Sequence, residues 1–193
     1  MAALTWRFEE PLLVASTAPV GGGLGPRAWV LNAQVPADYG RRDVEAHVGE
    51  VADALGLQGP GVGMLTAAEV ADLASSREDG VWVDATVGLT WPVWAAAPAE
   101  QCTRPEAGTV NVVAFAPARH TDAALTNLLC TMTEAKVQAL FDGGVAGTGT
   151  ASDAVTVLCP AHGETELFGG PRSRYGADLA RAVHAALRAG MAP

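Results

Sequence analysis

The sequence has little lysine, little cysteine and few aromatic residues, and it contains no long apolar run. Its three cysteines, Cys102, Cys130 and Cys159, stand at wide spacings with no CxxC pair and no HxH nearby. That pattern fits neither a disulfide framework nor a zinc site, so reduced thiols are expected. Cys130 and Cys159 each lie in an apolar stretch and read as small core residues. Twelve Lys and Arg against 21 Asp and Glu leave a net charge of -9. This is the wrong sign for nonspecific nucleic-acid binding or attraction to an anionic membrane. Abundant Ala and Gly with little Lys also fit a GC-rich genome, so the acidity by itself says little about function. No run of about 18 apolar residues occurs, and the opening MAALTWRFEEPLLVAST has no basic segment ahead of an apolar core. Neither a membrane span nor export is expected, and the location reads as cytoplasmic. No GxGxxG, P-loop, GxSxG or HExxH is present, and no internal repeat.

A chain of 193 residues is long enough for one domain with a substantial core, and residues 1–193 read as a single domain. Most of the groups capable of chemistry fall between Thr121 and Asp153. Thr121 or Asp122 caps a helix in which Leu125, Leu128, Leu129, Met132, Ala139 and Leu140 recur at helical spacing, ending near Phe141 before Gly143-Gly144. At roughly 100° per residue, Lys136 falls within that apolar stripe. Glu134 falls on the opposite side with Asn127, Cys130, Gln138 and Phe141, a second half-apolar face that predicts packing on both sides. Two readings of Lys136 stand: a snorkelling stem with its head in water, or an ammonium serving a site. The loop Gly147-Thr148-Gly149-Thr150-Ala151-Ser152-Asp153 follows. Its glycines allow close backbone approach, and hydroxyls and a carboxylate crowd together, as in a site or an ordinary turn.

The remaining pattern alternates strands and helices. Pro11–Ser16 reads as a strand preceded by an edge-like segment carrying Trp6 and Phe8, and Gly21 to Gly25 as a loop to a second strand, Arg27–Asn32. A helix opens at Asp43 with Val44, Val48, Val51 and Leu55 on one face, and His47 flanks that stripe. Gly61–Leu65 is a buried strand, and Thr66-Ala67-Ala68-Glu69 has the form of a capping box that starts another helix. Val81–Gly88 and Gly108–Phe115 read as strands, with a loop from Ala95 to Ala107 between them. Val155–Cys159, Thr165–Gly169 and a helix over Tyr175–Ala189 complete the chain. This order predicts an α/β or α+β fold, a mixed sheet flanked by helices. Asn111 is the one strongly polar residue of its strand, so it either ties the sheet to a loop or faces a site.

Four pieces together resemble the adenosylcobinamide amidohydrolase family of corrinoid salvage: Val62-Gly63-Met64-Leu65-Thr66, Gly108-Thr109-Val110-Asn111-Val112, Thr133-Glu134-Ala135-Lys136 and Thr148-Gly149-Thr150-Ala151-Ser152-Asp153. They occur in the family's order, and the likeness extends over nearly the whole sequence. Asn32 and Tyr39 also match positions of that family. In one loop the chain departs from it, because Thr90-Trp91-Pro92-Val93-Trp94 stands where family members carry an Asn-Ala pair.

The resemblance implies hydrolysis of the amide that joins aminopropanol to a propionate arm of adenosylcobinamide, giving adenosylcobyric acid. It implies a small-molecule corrinoid partner, with cobalt entering only as part of the substrate, and no other cofactor and no metal site. Such chemistry needs an activated water, donors for the oxyanion and a proton for the departing amine. Asp153, Glu134 and Lys136 are the catalytic candidates; Asn32, Tyr39, Asn111, Thr148, Gly149 and Thr150 are the candidates for binding substrate. His120 and His162 are further possible bases with no partner evident in the sequence. The expected mechanism is metal-independent attack by water assisted by a carboxylate. The competing functions are a corrinoid binder without turnover and an amidase acting on a different amide. Oligomeric state is not legible in the sequence.

Overall fold

The computed structural model describes residues 2–101 and 108–192. Cys102 and the end of the loop expected over Ala95–Ala107 lie outside them. In chain order the elements are β1 (Ala3–Ser16), β2 (Gly23–Gln34), α1 (Val44–Ala54), β3 (Gly61–Thr66), β4 (Ala74–Glu78), β5 (Val81–Gly88) and β6 (Thr109–Phe115). There follow β7 (Arg119–His120), α2 (Asp122–Asp142), β8 (Ala154–Cys159), β9 (Thr165–Glu166) and α3 (Arg174–Gly190). Seven strands form one mixed sheet in the order β3-β2-β1-β8-β6-β5-β4, parallel at β2/β3 and β6/β8 and antiparallel elsewhere. β7 and β9 make a separate parallel pair.

The sheet doubles back on itself. The register of β1 against β2 shifts between Arg7 and Leu12, where Pro11 has no N–H to give to a ladder. Three strands separate β2 from β5 in sheet order, yet Asn32 of β2 donates to the Thr86 hydroxyl of β5 at 3.0 Å. Alternating side chains then fill three cores. From β6 and β8, Val110, Val112, Ala114, Val155 and Val157 pack under α2 and α3. Between the two halves of the sheet lie Val14, Val30, Val62, Met64, Val113 and Leu158. Trp29, Leu31 and Ala33 of β2 meet Val48 and Ala52 of α1. The layers therefore run α2 and α3, sheet, sheet, α1, and each fully buried Val, Leu or Met stabilises the arrangement by roughly 1.5–3 kcal/mol.

The mixed sheet with flanking helices matches expectation, and so does α2, whose Thr121 side chain accepts from the Ala124 N–H at 3.2 Å. Four local expectations are corrected. No α-helix follows Thr66: its hydroxyl accepts from the Ala68 N–H at 3.0 Å, a short 3-10 turn covers Val70–Asp72, and the chain enters β4. β4 and β5 are joined by Asp79 and Gly80, both in the left-handed region at φ 42° and 85°, the two-residue turn that suits a twisted hairpin. Trp6 and Phe8 belong to the same strand as Pro11–Ser16, and β9 is shorter than Thr165–Gly169. The second face of α2 is uncovered: Cys130 and Glu134 are exposed, and Phe141 is 74% exposed. Among the described residues, no helix is long and apolar enough to cross a membrane.

Candidate active site

Lys136 is the one lysine of the sequence, and it does not snorkel. It sits on the buried face of α2, and its ammonium is paired with Oδ2 of Asp153, with side-chain exposures of only 8% and 11%. Asp153 is the residue before β8, at the end of the glycine loop. Its Oδ1 accepts from the Val110 N–H at 2.9 Å and its Oδ2 from the Thr150 N–H at 3.1 Å. The Thr150 hydroxyl lies 2.5 Å from Oδ1 and 2.6 Å from the Gly108 carbonyl, donating to one of them at a time. Gly149 covers the pair so closely that a Cβ would lie 2.2 Å from Asp153 Oδ2 and 2.4 Å from Lys136 Nζ. Only glycine leaves room for this ion pair, and all its charged oxygens have donors, as burial demands.

A second polar network joins the two halves of the sheet. Asn111 Nδ2 donates to Asn32 Oδ1 and to the Leu65 carbonyl, both at 2.9 Å, and Asn111 Oδ1 accepts from the Ala154 N–H at 3.2 Å. Asn32 completes it through Thr86. At this point a cavity of about 400 Å³ opens between the ends of β3, β6 and β8 and the segment after β2. Its polar wall is Tyr39, Thr66, Thr109, Asn111 and Ser152, and Met64 and Val35 are among its apolar lining. The Ser152 and Thr109 hydroxyls are 2.9 Å apart, and Ser152 also donates to the Gly108 carbonyl at 3.0 Å. Among the described residues, Tyr39 is the only titratable side chain on the wall. Its hydroxyl lies 2.7 Å from Nδ1 of the buried His47, the two rings stacked at 5.3 Å. Burial pushes the Tyr39 phenol above its ordinary value of 10.0, and nearby Asp43 and Glu50 act in the same direction against Arg41.

Pieces distant in sequence thus converge: Met64 to Thr66, Thr109 with Asn111, and Ala151 with Ser152 face one cavity, while Lys136 reaches Asp153 beside Ser152. A family model described as adenosylcobinamide amidohydrolase matches residues 1–193. The chain belongs to the adenosylcobinamide amidohydrolase family, and is a hydrolase. A relative in Methanosarcina mazei, named adenosylcobinamide amidohydrolase, is 27% identical over 188 residues, covering 92% of this chain and 89% of the relative. A second, from Halobacterium salinarum and of the same name, is 39% identical over 117 residues, covering 58% of this chain and half of the relative's length. Among solved structures, the PH0078 protein from Pyrococcus horikoshii OT3 is 11% identical with a TM-score of 0.46, over 95% of this chain and 72% of that one. A Burkholderia sp. beta-aminopeptidase is 14% identical with a TM-score of 0.46, over 95% and 73%. Neither likeness is close enough to bear on function.

The residues through which the chain resembled this amidohydrolase family divide into three groups. Tyr39 and Asn111 line the cavity, and Asn32 stands directly behind Asn111. Lys136, Asp153, Gly149 and Thr150 form the buried cluster that holds the Gly147–Asp153 loop. Thr148 faces away from that cluster, its hydroxyl accepting from the Ala95 N–H at 2.9 Å. Glu134 is not brought to either group; it lies on the exposed face of α2, beside a broad shallow depression with Leu129, Val137 and Phe141. His120 is buried with Nδ1 2.8 Å from the Ala118 carbonyl, and His162 is exposed. Among the described residues, no three His, Cys, Asp or Glu side chains come together as metal ligands. Sequence reasoning passed over Thr109, Ser152 and His47 as site residues. Thr109 and Ser152 lay inside the quoted motifs, and His47 was readable only as the flank of a helical stripe.

Proposed function

We propose that this protein hydrolyses the amide joining aminopropanol to a propionate arm of adenosylcobinamide, releasing 1-amino-2-propanol and adenosylcobyric acid at the cavity beside Asn111 and Ser152. The observation that carries the reading is the convergence of three of the four motif segments on that one cavity, with polar groups suited to an amide arm, while the fourth supplies Lys136 to Asp153 beside Ser152. Asn111 offers an amide edge, and the Ser152 and Thr109 hydroxyls both donate and accept. Water adds to the carbonyl carbon, the C–N bond breaks, and the departing amine takes a proton.

We assign that proton to Tyr39, the titratable group on the wall. Its raised phenol is protonated at neutral pH; it gives that proton to the departing amine and recovers the one released by the added water, its oxygen held against Nδ1 of His47 throughout. The Lys136–Asp153 pair holds the loop that presents Ser152, since every carboxylate oxygen there is already engaged. The reaction as proposed requires no protein-bound metal; cobalt is part of the substrate. We also place it in the cytoplasm, in keeping with the unpaired thiols of Cys130 and Cys159.

The test is incubation of the purified protein with adenosylcobinamide, with and without chelator, following 1-amino-2-propanol by mass spectrometry. Release that survives the chelator is expected. Binding of cobinamide without release points to a corrinoid binder, and no binding at all ends the corrinoid reading. Activity lost in chelator and restored by zinc or manganese overturns the metal-free assignment.

A further inference from the structure

A cavity of about 400 Å³ holds an amide arm, not a corrin macrocycle with its other arms and its nucleoside. If the scissile arm enters there, the macrocycle must lie on the rim. The loop after β5, hydrogen-bonded to the glycine loop that supplies Ala151 and Ser152 to the wall, carries an unusual surface. Trp91, Val93 and Trp94 are 49%, 40% and 51% exposed, whereas Trp6, Trp29 and Trp82 are buried or half-buried. Exposed tryptophans in an acidic, aromatic-poor chain are costly to leave in water without a partner.

The loop that bears them is fixed at both of its approaches to the cavity. It leaves β5 at Gly88, where a Cβ would meet Ala68 at 3.1 Å and the Thr109 carbonyl at 3.2 Å; Thr109 is wall and Ala68 adjoins it. Leu89 is packed into the core under α3. The Val93 N–H then donates to the Gly149 carbonyl, and the Thr148 N–H to the Val93 carbonyl, both at 2.8 Å. Ala151 and Ser152, two and three residues beyond Gly149, are wall again. Trp91 and Trp94 are thus presented by a backbone pinned on the site loop itself, and a rigid aromatic surface loses little entropy on binding a planar partner.

We propose that Trp91 and Trp94 form a platform for the conjugated face of the corrin macrocycle, so that they set affinity for the corrinoid while the cavity beside Asn111 handles the amide arm. This rests on the reading of the site as a corrinoid amidohydrolase. The platform touches no reacting atom, so it acts on binding and not on the chemical step.

The experiment compares the parent with Trp91→Ala/Trp94→Ala and Trp91→Phe/Trp94→Phe, titrating cobinamide by absorbance and measuring kinetics with adenosylcobinamide. The double Ala variant is expected to raise Kd and KM by about tenfold or more, equivalent to ~1.4 kcal/mol, with kcat within about twofold and Tm unchanged. The Phe variant, which keeps two aromatic faces and secures the comparison if the Ala variant folds poorly, recovers most of the affinity. Unchanged Kd and KM in the double Ala variant overturn the platform while leaving the hydrolase reading intact. A loss confined to adenosylcobinamide, with cobinamide binding unaffected, overturns the corrin assignment in favour of the adenine ring. A parent that binds no corrinoid overturns both readings.

Discussion

Asn32 and Asn111 are joined amide to amide across the gap between the two halves of the folded sheet, although β1 and β8 separate their strands in sheet order. Both are almost fully buried, and Asn111 also holds Leu65 and Ala154, residues of β3 and β8. The link therefore fixes how far apart the cavity walls stand.

Replacing Asn111 by Leu strands the Asn32 carboxamide oxygen, the Leu65 carbonyl and the Ala154 N–H in a low-dielectric interior. An unsatisfied buried group costs about 1–3 kcal/mol, so Asn111→Leu is expected to lower unfolding free energy by at least ~3 kcal/mol. Urea denaturation measures it. A loss under ~1 kcal/mol would show that the network contributes little beyond its shape.

The Lys136–Asp153 pair makes a different claim. Removing one partner of a buried pair leaves the other charge uncompensated, at a cost of about 3–5 kcal/mol. Lys136→Met is therefore expected to be strongly destabilising, and Lys136→Met/Asp153→Asn less so than the sum of the single variants. Additive effects would return Lys136 to a snorkelling role. Because it is the one lysine, reductive methylation should modify only the amino terminus of the folded protein and reach Lys136 after unfolding, as peptide mass spectrometry can check.

Kinetics separate the cavity from the outer face of α2. Tyr39→Phe removes the hydroxyl that lies against His47 and is expected to lower kcat by about 10² or more, the usual scale of acid–base assistance. Glu134→Gln changes an exposed residue remote from Tyr39 and Asn111, and kcat should stay within about twofold. The opposite ranking would move the chemistry to Glu134 and unseat the cavity assignment.

Much of this site was legible in the sequence because its residues break local patterns. Asn111 interrupts an apolar strand, Lys136 interrupts an apolar helical stripe, and Gly149 lies in a loop dense with hydroxyls. Periodicity shows which residues are apolar but not what covers them, so Cys130 and Phe141 read as packed although both are exposed among the described residues. Thr66 and Glu69 have capping-box spacing, yet Thr66 closes a local turn because β4 is needed as the partner of β5. The better signal was Asp79-Gly80 between Arg77-Glu78 and Val81-Trp82, a two-residue hairpin hidden by the polar sequence of an edge strand. The doubling of the sheet had one trace, Pro11 within an otherwise extended run.

His120 sets how stability should depend on acidity. It is 1% exposed, has Nδ1 against the Ala118 carbonyl and leaves Nε2 without a partner among the described residues. Burial lowers its pKa below the ordinary 6.5, against smaller opposing effects from the Ala118 carbonyl and Glu166. The unfolded chain therefore takes up a proton near pH 6.5 that the folded chain still refuses, so between the folded and unfolded pKa values stability rises with pH. As pH falls through 6.5 the fold loses stability from this group by up to about 1.4 kcal/mol per unit until His120 itself protonates. Urea unfolding of the parent and His120→Phe between pH 7.5 and 5.5, compared as a difference, isolates it. The parent should lose stability more steeply than the variant; parallel curves would mean that the buried imidazole titrates as it does in water.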